Sequence, residues 1–492
     1  MILFARIMTD LLSTVTTLAK AIRELPTDVD HADIPPRAFL VGGCVRDEML
    51  GVEWKDADME IYGVSQAQLE ALLEKMFGDR VNVVGKTFAV YKIAIGDGTD
   101  LDIAIPRRES ATGSGHKDFD VTGDPFMKIK DAARRRDFTM NAMLKDPLTN
   151  EIIDPFDGKK DLERKILRAV DAKTFVEDPL RIYRALQFAA RFDLTIEDGT
   201  MKLLRDMVER GETAHLSKER VTEEVRKLLL QAPKPSVGFE IAKHLGIIAR
   251  DYPELAVLET TEQEPDWHPE GNVWIHTLMV LDEAANIIRR ENDLTDTDRI
   301  RVMLGALCHD LGKPATTLFI EGRMRSREHE AAGVEPAEKL LSKWTFSEED
   351  QTAVAHLVDE HLKPAELVRQ REKGILNDKS LSNALRRLIK RIYPASLASL
   401  LAVFEADTKG RGAPRDHFQE HAVRVKEMIL RVIKEQHLDE ASMKPLLSGS
   451  DLLELGFTPG PKMGEIIRAV EQARDEGAVS TKEEALAFVK RV

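Results

Sequence analysis

The chain has 492 residues, 43% hydrophobic and 32% charged, the balance of a folded globular protein rather than of a disordered or membrane-embedded one. At roughly 150 residues per domain, that length predicts about three or four units. The net charge of −14 excludes a general nucleic-acid-binding surface, because phosphate contacts require clustered Lys and Arg.

Any such site must be local. The basic runs Lys128 to Arg136 and Arg386 to Arg391 are candidates, against the ordinary reading of charge runs as solvated helix faces. No apolar run approaches the ~18 residues of a membrane-spanning helix. The N-terminus lacks the basic segment and apolar stretch of a secretory signal. Two cysteines, Cys44 and Cys308, fit a reducing compartment, and a cytoplasmic location is expected.

Leu11, Leu12, Val15, Leu18 and Ile22 keep helical spacing until Pro26, Pro35 and Pro36 interrupt it, which predicts an N-terminal helix within residues 1–35. Over 36–160, short β-rich runs at 39–41, 81–84, 88–95 and 101–105 surround one helical stretch, 66–76. They predict a small α/β head. From Asp161 onward the period is helical to the end, broken at 233–235, 265–269, 410–414 and 459–461. The expected divisions are a helical neck and body (161–266), a second helical domain (267–411) and a helical tail (412–492), giving an α+β fold.

Within the head, Phe39-Leu-Val-Gly42-Gly43 places two glycines after a strand and before a helix, an arrangement whose N–H groups can cradle phosphates. Asp56 and Asp58 follow, spaced two apart as on one face of a strand. Paired carboxylates suit Mg²⁺, which takes hard oxygen ligands together with substrate phosphates. Asp102, on another β-type run, is a candidate third carboxylate, and Asp100 reads as the end of a turn.

The run Leu40-Val-Gly-Gly-Cys-Val-Arg-Asp-Glu-Met-Leu-Gly51 followed by Asp56-Ala-Asp58 resembles the class II tRNA nucleotidyltransferase and poly(A) polymerase family, Met49 being a minor departure. That resemblance implies catalysis by Asp56, Asp58 and Asp102, with Mg²⁺ on Asp56 and Asp58 and nucleotide contacts from Gly43 and Arg46. Pro106-Arg-Arg-Glu109 with Gly113-Ser-Gly115-His116 is similar to the family's flexible loop. Arg135-Arg136-Asp137-Phe138-Thr139-Met-Asn141 is similar to its RRDFTINA motif, which implies nucleotide contacts from Arg136, Asp137 and Asn141. Asp154-Pro-Phe-Asp-Gly158 resembles the hinge between head and neck.

Glu177-Asp178-Pro179-Leu-Arg181-Ile-Tyr-Arg184 resembles the family's base-reading motif. There Asp178 as acceptor and Arg181 as donor imitate a Watson–Crick partner for C or A, with Arg184 beside them. Read without the family, Asp178 is a helix cap and Asp178–Arg181 a surface ion pair worth under ~1 kcal/mol.

The second helical domain carries Trp267-His-Pro-Glu270, His276, Cys308-His309-Asp310-Leu-Gly-Lys313, His329, His361 and Glu405-Ala-Asp407-Thr-Lys-Gly-Arg411. Imidazole and carboxylate suit transition metals, although single histidines are usually core or surface residues. In this order the set resembles the HD phosphohydrolase superfamily, and more closely the HD domain fused to some bacterial CCA-adding enzymes. The resemblance implies that His276, His309, Asp310 and Asp407 bind a divalent Mn, Co, Ni, Fe or Zn ion. His329 and His361 match the middle positions, His356 competing with His361.

The tail run Leu446 to Gly464 also resembles that family. Its Gly-Pro turn is equally a helix-packing corner, so no binding residue is assigned there. Together these likenesses imply addition of C, C and A to tRNA 3′ ends from CTP and ATP, with hydrolysis of 2′,3′-cyclic phosphates or 2′-nucleotides in the HD domain. The competing readings are a poly(A) or partial-end polymerase, and an HD phosphohydrolase whose head only binds nucleotide or RNA. Neither membrane nor DNA is expected as a partner, and the chain is expected to be a monomer or homodimer.

Overall fold

The computed structural model describes residues 2–54, 56–85, 90–96, 99–111, 119–412, 415–435, 446–458, 460–475, 479 and 481–490. The chain divides into two compact units, one of Met1–Val257 with Leu340–Phe346 and one of Leu258–Lys339 with Ser347–Val492. Among the described residues, no helix is long and apolar enough to cross a membrane.

The first unit opens with α1 (Ile2–Arg23), which buries Leu11, Val15, Leu18, Ala19 and Ile22 but leaves Leu12 exposed. It is followed by β1 (Arg37–Val41), α2 (Gly43–Met49), β2 (Ala57–Tyr62) and α3 (Gln66–Phe77). Ser65 and Gln68 close α3 with a capping box. Next come β3 (Val81–Gly85), β4 (Val90–Gly96), β5 (Thr99–Ala104), and the hairpin of β6 (Arg107–Ala111) and β7 (Phe119–Gly123). The short strands β8 (Leu144–Lys145) and β9 (Ile152–Ile153) complete a seven-stranded sheet in the order β3-β4-β5-β2-β1-β8-β9.

Only β2 and β5 run parallel in that sheet. Their register sets Ala57 beside Leu101, Asp58 beside Asp102 and Met59 beside Ile103. Alternation does the rest: Ala57, Met59, Leu101 and Ile103 are buried, while both aspartates turn to the other face. On the same face as the aspartates, beside them, Phe39, Val41, Tyr62, Met127, Ala133 and Leu144 form one core cluster.

The remainder of this unit holds α4 (Ile129–Arg134), α5 (Gly158–Glu163), α6 (Ala172–Phe175), α7 (Leu180–Phe192), α8 (Asp198–Glu209), α9 (Lys218–Gln231), α10 (Pro235–His244), α11 (Ile247–Asp251) and α12 (Pro253–Ala256). Packing of α7 against α9 and α10 buries Ile182, Leu186, Ala189 and Ala190, the apolar stripe that its sequence spacing predicts. One departure from the predicted helical run is the parallel pair β10 (Ile166–Leu167) with β11 (Thr195–Ile196). Two residues per strand carry no readable alternation.

The second unit is built on α13 (Val273–Arg290), α14 (Asp296–Cys308), α15 (Lys313–Thr316), α16 (His329–Ala332), α17 (Val334–Leu341, whose end lies in the first unit), α18 (Glu348–Glu360), α19 (Lys363–Glu372), α20 (Asp378–Ile392), α21 (Leu397–Lys409) and α22 (Arg415–Glu435). A hairpin, β12 (Thr317–Ile320) with β13 (Arg323–Ser326), again corrects the all-helical expectation. Its turn residues Glu321 and Gly322 both have positive φ, the conformation of a tight two-residue loop. Three tail helices, α23 (Gly449–Glu454), α24 (Pro461–Asp475) and α25 (Lys482–Val489), enclose a small core of Leu447, Leu452, Val470, Ala485 and Val489.

Candidate functional site

In the first unit a cavity of about 1070 Å³ opens over the β2–β5 pair. Asp58 and Asp102 line it with Gly42, Gly43, Arg46, Arg136, Asp137, Asn141, Asp178, Arg181, Arg184 and Arg191. Asp58 is reached by solvent in the cavity, yet the surrounding protein desolvates its carboxyl and raises its pKa. Arg136 opposes that rise, and the carboxylates of Asp102, Asp56 and Glu60 add to it. Among the described residues Asp102 Oδ1 meets no hydrogen-bond partner, and Lys92 Nζ stands 3.6 Å from it. An acidic pair whose charge is mutually unfavourable fits a divalent cation.

Asp56 departs from the expected strand position. The ladder starts at Ala57, so Asp56 precedes β2, is exposed, and is absent from the cavity lining. It is nevertheless near enough to raise the pKa of Asp58.

The diglycine turn brings α2 to the cavity edge. Gly42 has φ +72°, and a Cβ there would stand 3.0 Å from Arg136 Nη1 and 3.9 Å from Asp58 Oδ2. Glycine thus satisfies both the backbone conformation and the close approach.

Behind the turn the predicted nucleotide residues form one network. Arg46 donates to Asp47 Oδ1 at 2.8 Å and to Asn141 Oδ1 at 2.7 Å, with its guanidinium 4.5 Å from the Phe192 ring centroid. Asn141 Nδ2 donates to Asp137 Oδ1 at 3.0 Å, and Arg184 Nε donates to Asp137 Oδ2 at 2.7 Å. Burial would raise the Asp137 pKa, but Arg184 and Asn141 hold it below the usual carboxylate value.

Asp178 and Arg181 both line the cavity, but they do not pair with each other. Asp178 accepts two hydrogen bonds from Arg220 Nη2, at 3.0 and 3.1 Å, and a third from Leu180 N at 3.1 Å. Arg181 donates to the Thr174 and Arg135 carbonyls at 2.8 and 2.6 Å. Arg220, supplied by α9 across from α7, is a residue that no local pattern announced. Of the two basic runs, Arg135 and Arg136 line the cavity, whereas Lys390 and Arg391 are paired with Glu471 and Glu360. Gly113, Ser114, Gly115 and His116 lie outside the described residues. Asp154 accepts from Gly158 N at 2.8 Å, fixing the entry to α5.

The second unit gathers all six expected HD residues. Each is less than a tenth exposed. His276 Nε2 stands 3.1 Å from Asp407 Oδ1 and 3.3 Å from His309 Nε2. His309 Nε2 lies 3.2 Å from Asp310 Oδ2, and His329 Nε2 lies 3.3 Å from Asp310 Oδ1. The His361 ring centroid is 5.4 Å from those of His309 and His329; His356 is not among the gathered groups.

The tautomers follow from what each Nδ1 touches. His309, His329 and His361 point Nδ1 at the carbonyls of Ala306, Ser326 and Val358, at 2.8, 2.8 and 2.7 Å. A carbonyl oxygen only accepts, so Nδ1 carries a proton, and in the neutral ring the lone pair is on Nε2. His276 Nδ1 lies 2.8 Å from Glu270 Oε1, so Glu270 is an orienting residue whose role the sequence left unread.

Burial opposes charge on His309 and His329, but the adjacent Asp310 carboxylate outweighs it and raises both pKa values. His361 is pushed down to about 3 by burial and by His309 and His329. Despite burial, Asp310 is held well below the usual carboxylate value by His309 and Lys313, and Asp407 by Arg411 and His276. His361 Nε2 is buried without a hydrogen-bond partner among the described residues, and the ligand atoms of His276, His309 and Asp310, as of Asp310, His329 and His361, lie within 4.8 Å of one another. Converging lone pairs of this kind fit a transition-metal ion.

A glycine crossing holds the cluster. A Cβ on Gly312 would stand 2.0 Å from His329 O and 2.6 Å from Gly333 N, so the segment after Asp310 touches backbone that carries His329.

Fold and sites are those of a nucleotidyltransferase head combined with an HD-type domain. The Poly A polymerase head domain family matches residues 38–168 and the HD domain family residues 273–386. The Multifunctional CCA protein of Paraburkholderia phymatum is 33% identical over 379 residues, covering 76% of this chain and 84% of that one. Its counterpart from Laribacter hongkongensis is 34% identical over 388 residues, covering 79% and 88%. The chain belongs to the multifunctional CCA protein family. In fold it is similar to the Bacillus stearothermophilus CCA-adding enzyme solved with CTP (TM-score 0.56, 20% identity, 99% and 97% covered). It is similar also to the Thermotoga maritima CCA-adding enzyme complexed with tRNA (TM-score 0.53, 20% identity, 98% of each covered).

Proposed function

We propose that the chain adds C, C and A to tRNA 3′ ends from CTP and ATP without a nucleic-acid template, and that its HD domain hydrolyses 2′,3′-cyclic phosphates or 2′-nucleotides. The observation that carries the first activity is the in-register pairing of Asp58 with Asp102 beneath an arginine-lined cavity. Asp58, Asp102 and the adjacent Asp56 would hold Mg²⁺, which when bound neutralises charge on the transferring and leaving phosphates. Gly43, Arg46 and Arg136 bind the triphosphate, and the Asn141–Asp137–Arg184 network fixes the nucleotide between sheet and α7.

Asp178 accepts from the exocyclic amine of C or A. Arg181, with two of its five N–H donors directed at carbonyls, offers the remainder to the base edge. The RNA 3′-oxygen bonds to the α-phosphorus as the bond to the bridging oxygen breaks, and pyrophosphate leaves. Preformed donors around the phosphates supply the electrostatic stabilisation.

In the HD domain His276, His309, Asp310 and Asp407, with His329 and His361, would hold a divalent Mn, Co, Ni, Fe or Zn ion, whose chemistry is to activate water toward a phosphoester. Cleaning a blocked 3′ end would expose the hydroxyl that the head extends. This reading places the protein with its tRNA substrates in the cytoplasm.

The test is incubation of the full chain with tRNA lacking its CCA end, Mg²⁺, and each nucleoside triphosphate singly and mixed. Ordered gain of three nucleotides is expected. A long A tail would indicate a poly(A) polymerase, and no addition would leave a hydrolase whose head only binds.

A further inference from the structure

We infer that Arg411 binds phosphate in the HD site: its guanidinium takes the two non-bridging oxygens of the phosphoester hydrolysed there. The inference rests on the hydrolase reading of that site. Among the described residues, Lys313 and Arg411 are the cations that stand against the carboxylates of the cluster. Lys313 Nζ lies 2.6 Å from Asp310 Oδ2 and donates to Gln263 Oε1 at 2.7 Å, so it is engaged within the protein. Arg411 Nη2 lies 3.6 Å from Asp407 Oδ2, beyond hydrogen-bond length. Its Nε is buried without a partner, and Arg411 donates no hydrogen bond among the described residues. An ordinary ion pair four residues apart would close that gap and use Nη2 as a donor. A guanidinium held with its donors open beside a buried acidic cluster instead calls for an acceptor from a ligand.

The backbone on both sides of Arg411 is pinned. A Cβ on Gly410 would stand 2.5 Å from Val280 Cγ2 and 2.8 Å from the Val280 backbone, so the segment leaving α21 lies directly on α13. Gly412 N donates to Glu270 Oε2 at 2.9 Å, while Glu270 Oε1 lies 2.8 Å from His276 Nδ1. One carboxylate thus orients a ring of the cluster and the backbone next to Arg411. The guanidinium carbon lies 5.6 Å from the Phe418 ring centroid, a further restraint on its position.

Asp407 joins the two groups. Its Oδ1 faces His276 Nε2 and His309 Nε2 at 3.1 and 3.9 Å, and its Oδ2 faces Arg411. The Arg411 side chain is 21% open to solvent, against 9% for Lys313, which places it at the rim of a closed cluster, where an entering anion meets it. A planar fork of donors matches paired phosphoryl oxygens, as a lysine would not. In hydrolysis of a 2′,3′-cyclic phosphate the oxygen of water bonds to phosphorus, one ring ester bond breaks, and the released ribose oxygen takes a proton from that water. Negative charge stays on the non-bridging oxygens, where the guanidinium meets it. The contact is to the phosphoryl group alone, so it serves substrates of any base.

The experiment uses the full chain supplied with Mn²⁺ and reads three quantities: kcat/KM for adenosine and cytidine 2′,3′-cyclic phosphates, inhibition of that hydrolysis by inorganic phosphate, and bound metal by elemental analysis. Nucleotide addition by the head serves as the folding control. Arg411→Gln, which removes both charge and fork, should lower kcat/KM for the two cyclic phosphates by one common factor of about tenfold or more. Phosphate inhibition should weaken by a similar factor, and bound metal should match the wild type. Arg411→Lys, which keeps the charge alone, should recover only part of each loss. Should the Gln variant not fold, the Lys variant must still weaken phosphate inhibition. Full recovery by Lys, unmoved phosphate inhibition, a loss that differs between the two bases, or a fall in bound metal that accounts for the fall in rate would overturn the inference. A wild type that hydrolyses neither cyclic phosphates nor 2′-nucleotides would overturn the hydrolase reading, and the inference with it.

Discussion

Replacing Asp137 with Asn removes a charge and little else. Asn retains an oxygen for the Phe138 and Asn141 donors, but its amide now faces Arg184, whose Nε and Nη2 stand 2.7 and 2.5 Å from the native Oδ2. Hydrogen bonds to charged groups contribute about 1.5–3 kcal/mol each. The two here share one guanidinium that keeps some solvent, so their joint loss is set at about 2–3 kcal/mol. If nucleotide binding uses this network, kcat/KM for CTP addition falls about 30- to 150-fold at 1.36 kcal/mol per decade. Urea unfolding should show a matching loss of stability in the first unit.

The pH dependence has a definite sign. The native pKa of Asp137 is lowered, so its contribution is fully present above the unfolded value of about 3.9 and is lost as pH falls through the native value. The gap between wild type and variant should be constant from neutral pH to about 5 and narrow below about 4. An equal gap at pH 3 and pH 7, or a variant within twofold of wild type in addition, would refute the reasoning.

Asn in place of Asp58, and separately of Asp56, should lower nucleotide addition by about 10³-fold or more while cyclic-phosphate hydrolysis persists, measured by parallel assays on one preparation. Alanine at His309 or Asp310 should do the reverse, and joint loss of both activities would contradict independent sites. Gly312→Ala should abolish hydrolysis and lower bound metal, read by elemental analysis, without altering any ligand, because its Cβ would displace the backbone of His329. Unchanged metal content would show that the crossing is more compliant than its distances imply.

Chemistry written in consecutive residues is legible in the sequence alone. His309-Asp310 and the Gly42-Gly43 turn each lie on one local element, whose period fixes where side chains point. Partnerships made by packing are not legible in that way. Arg220 reaches Asp178 only because α9 lies against α7, and the spacing of Asp178 and Arg181 suggested a pairing that tertiary partners replaced. Glu270 has no local signal for orienting His276. Strands of two residues, as in β10 and β11, are too short for alternation to register.

The parallel β2–β5 ladder ties catalysis to folding in a way that restricts how the head can fail. A slip of β2 by one residue would drive Asp58 and Glu60 into the layer now filled by Ala57 and Met59 and expose that apolar pair to water. Such a mispaired head would be too unstable to accumulate, so newly made enzyme that passes the cell's proteolytic quality control has already aligned its acidic pair.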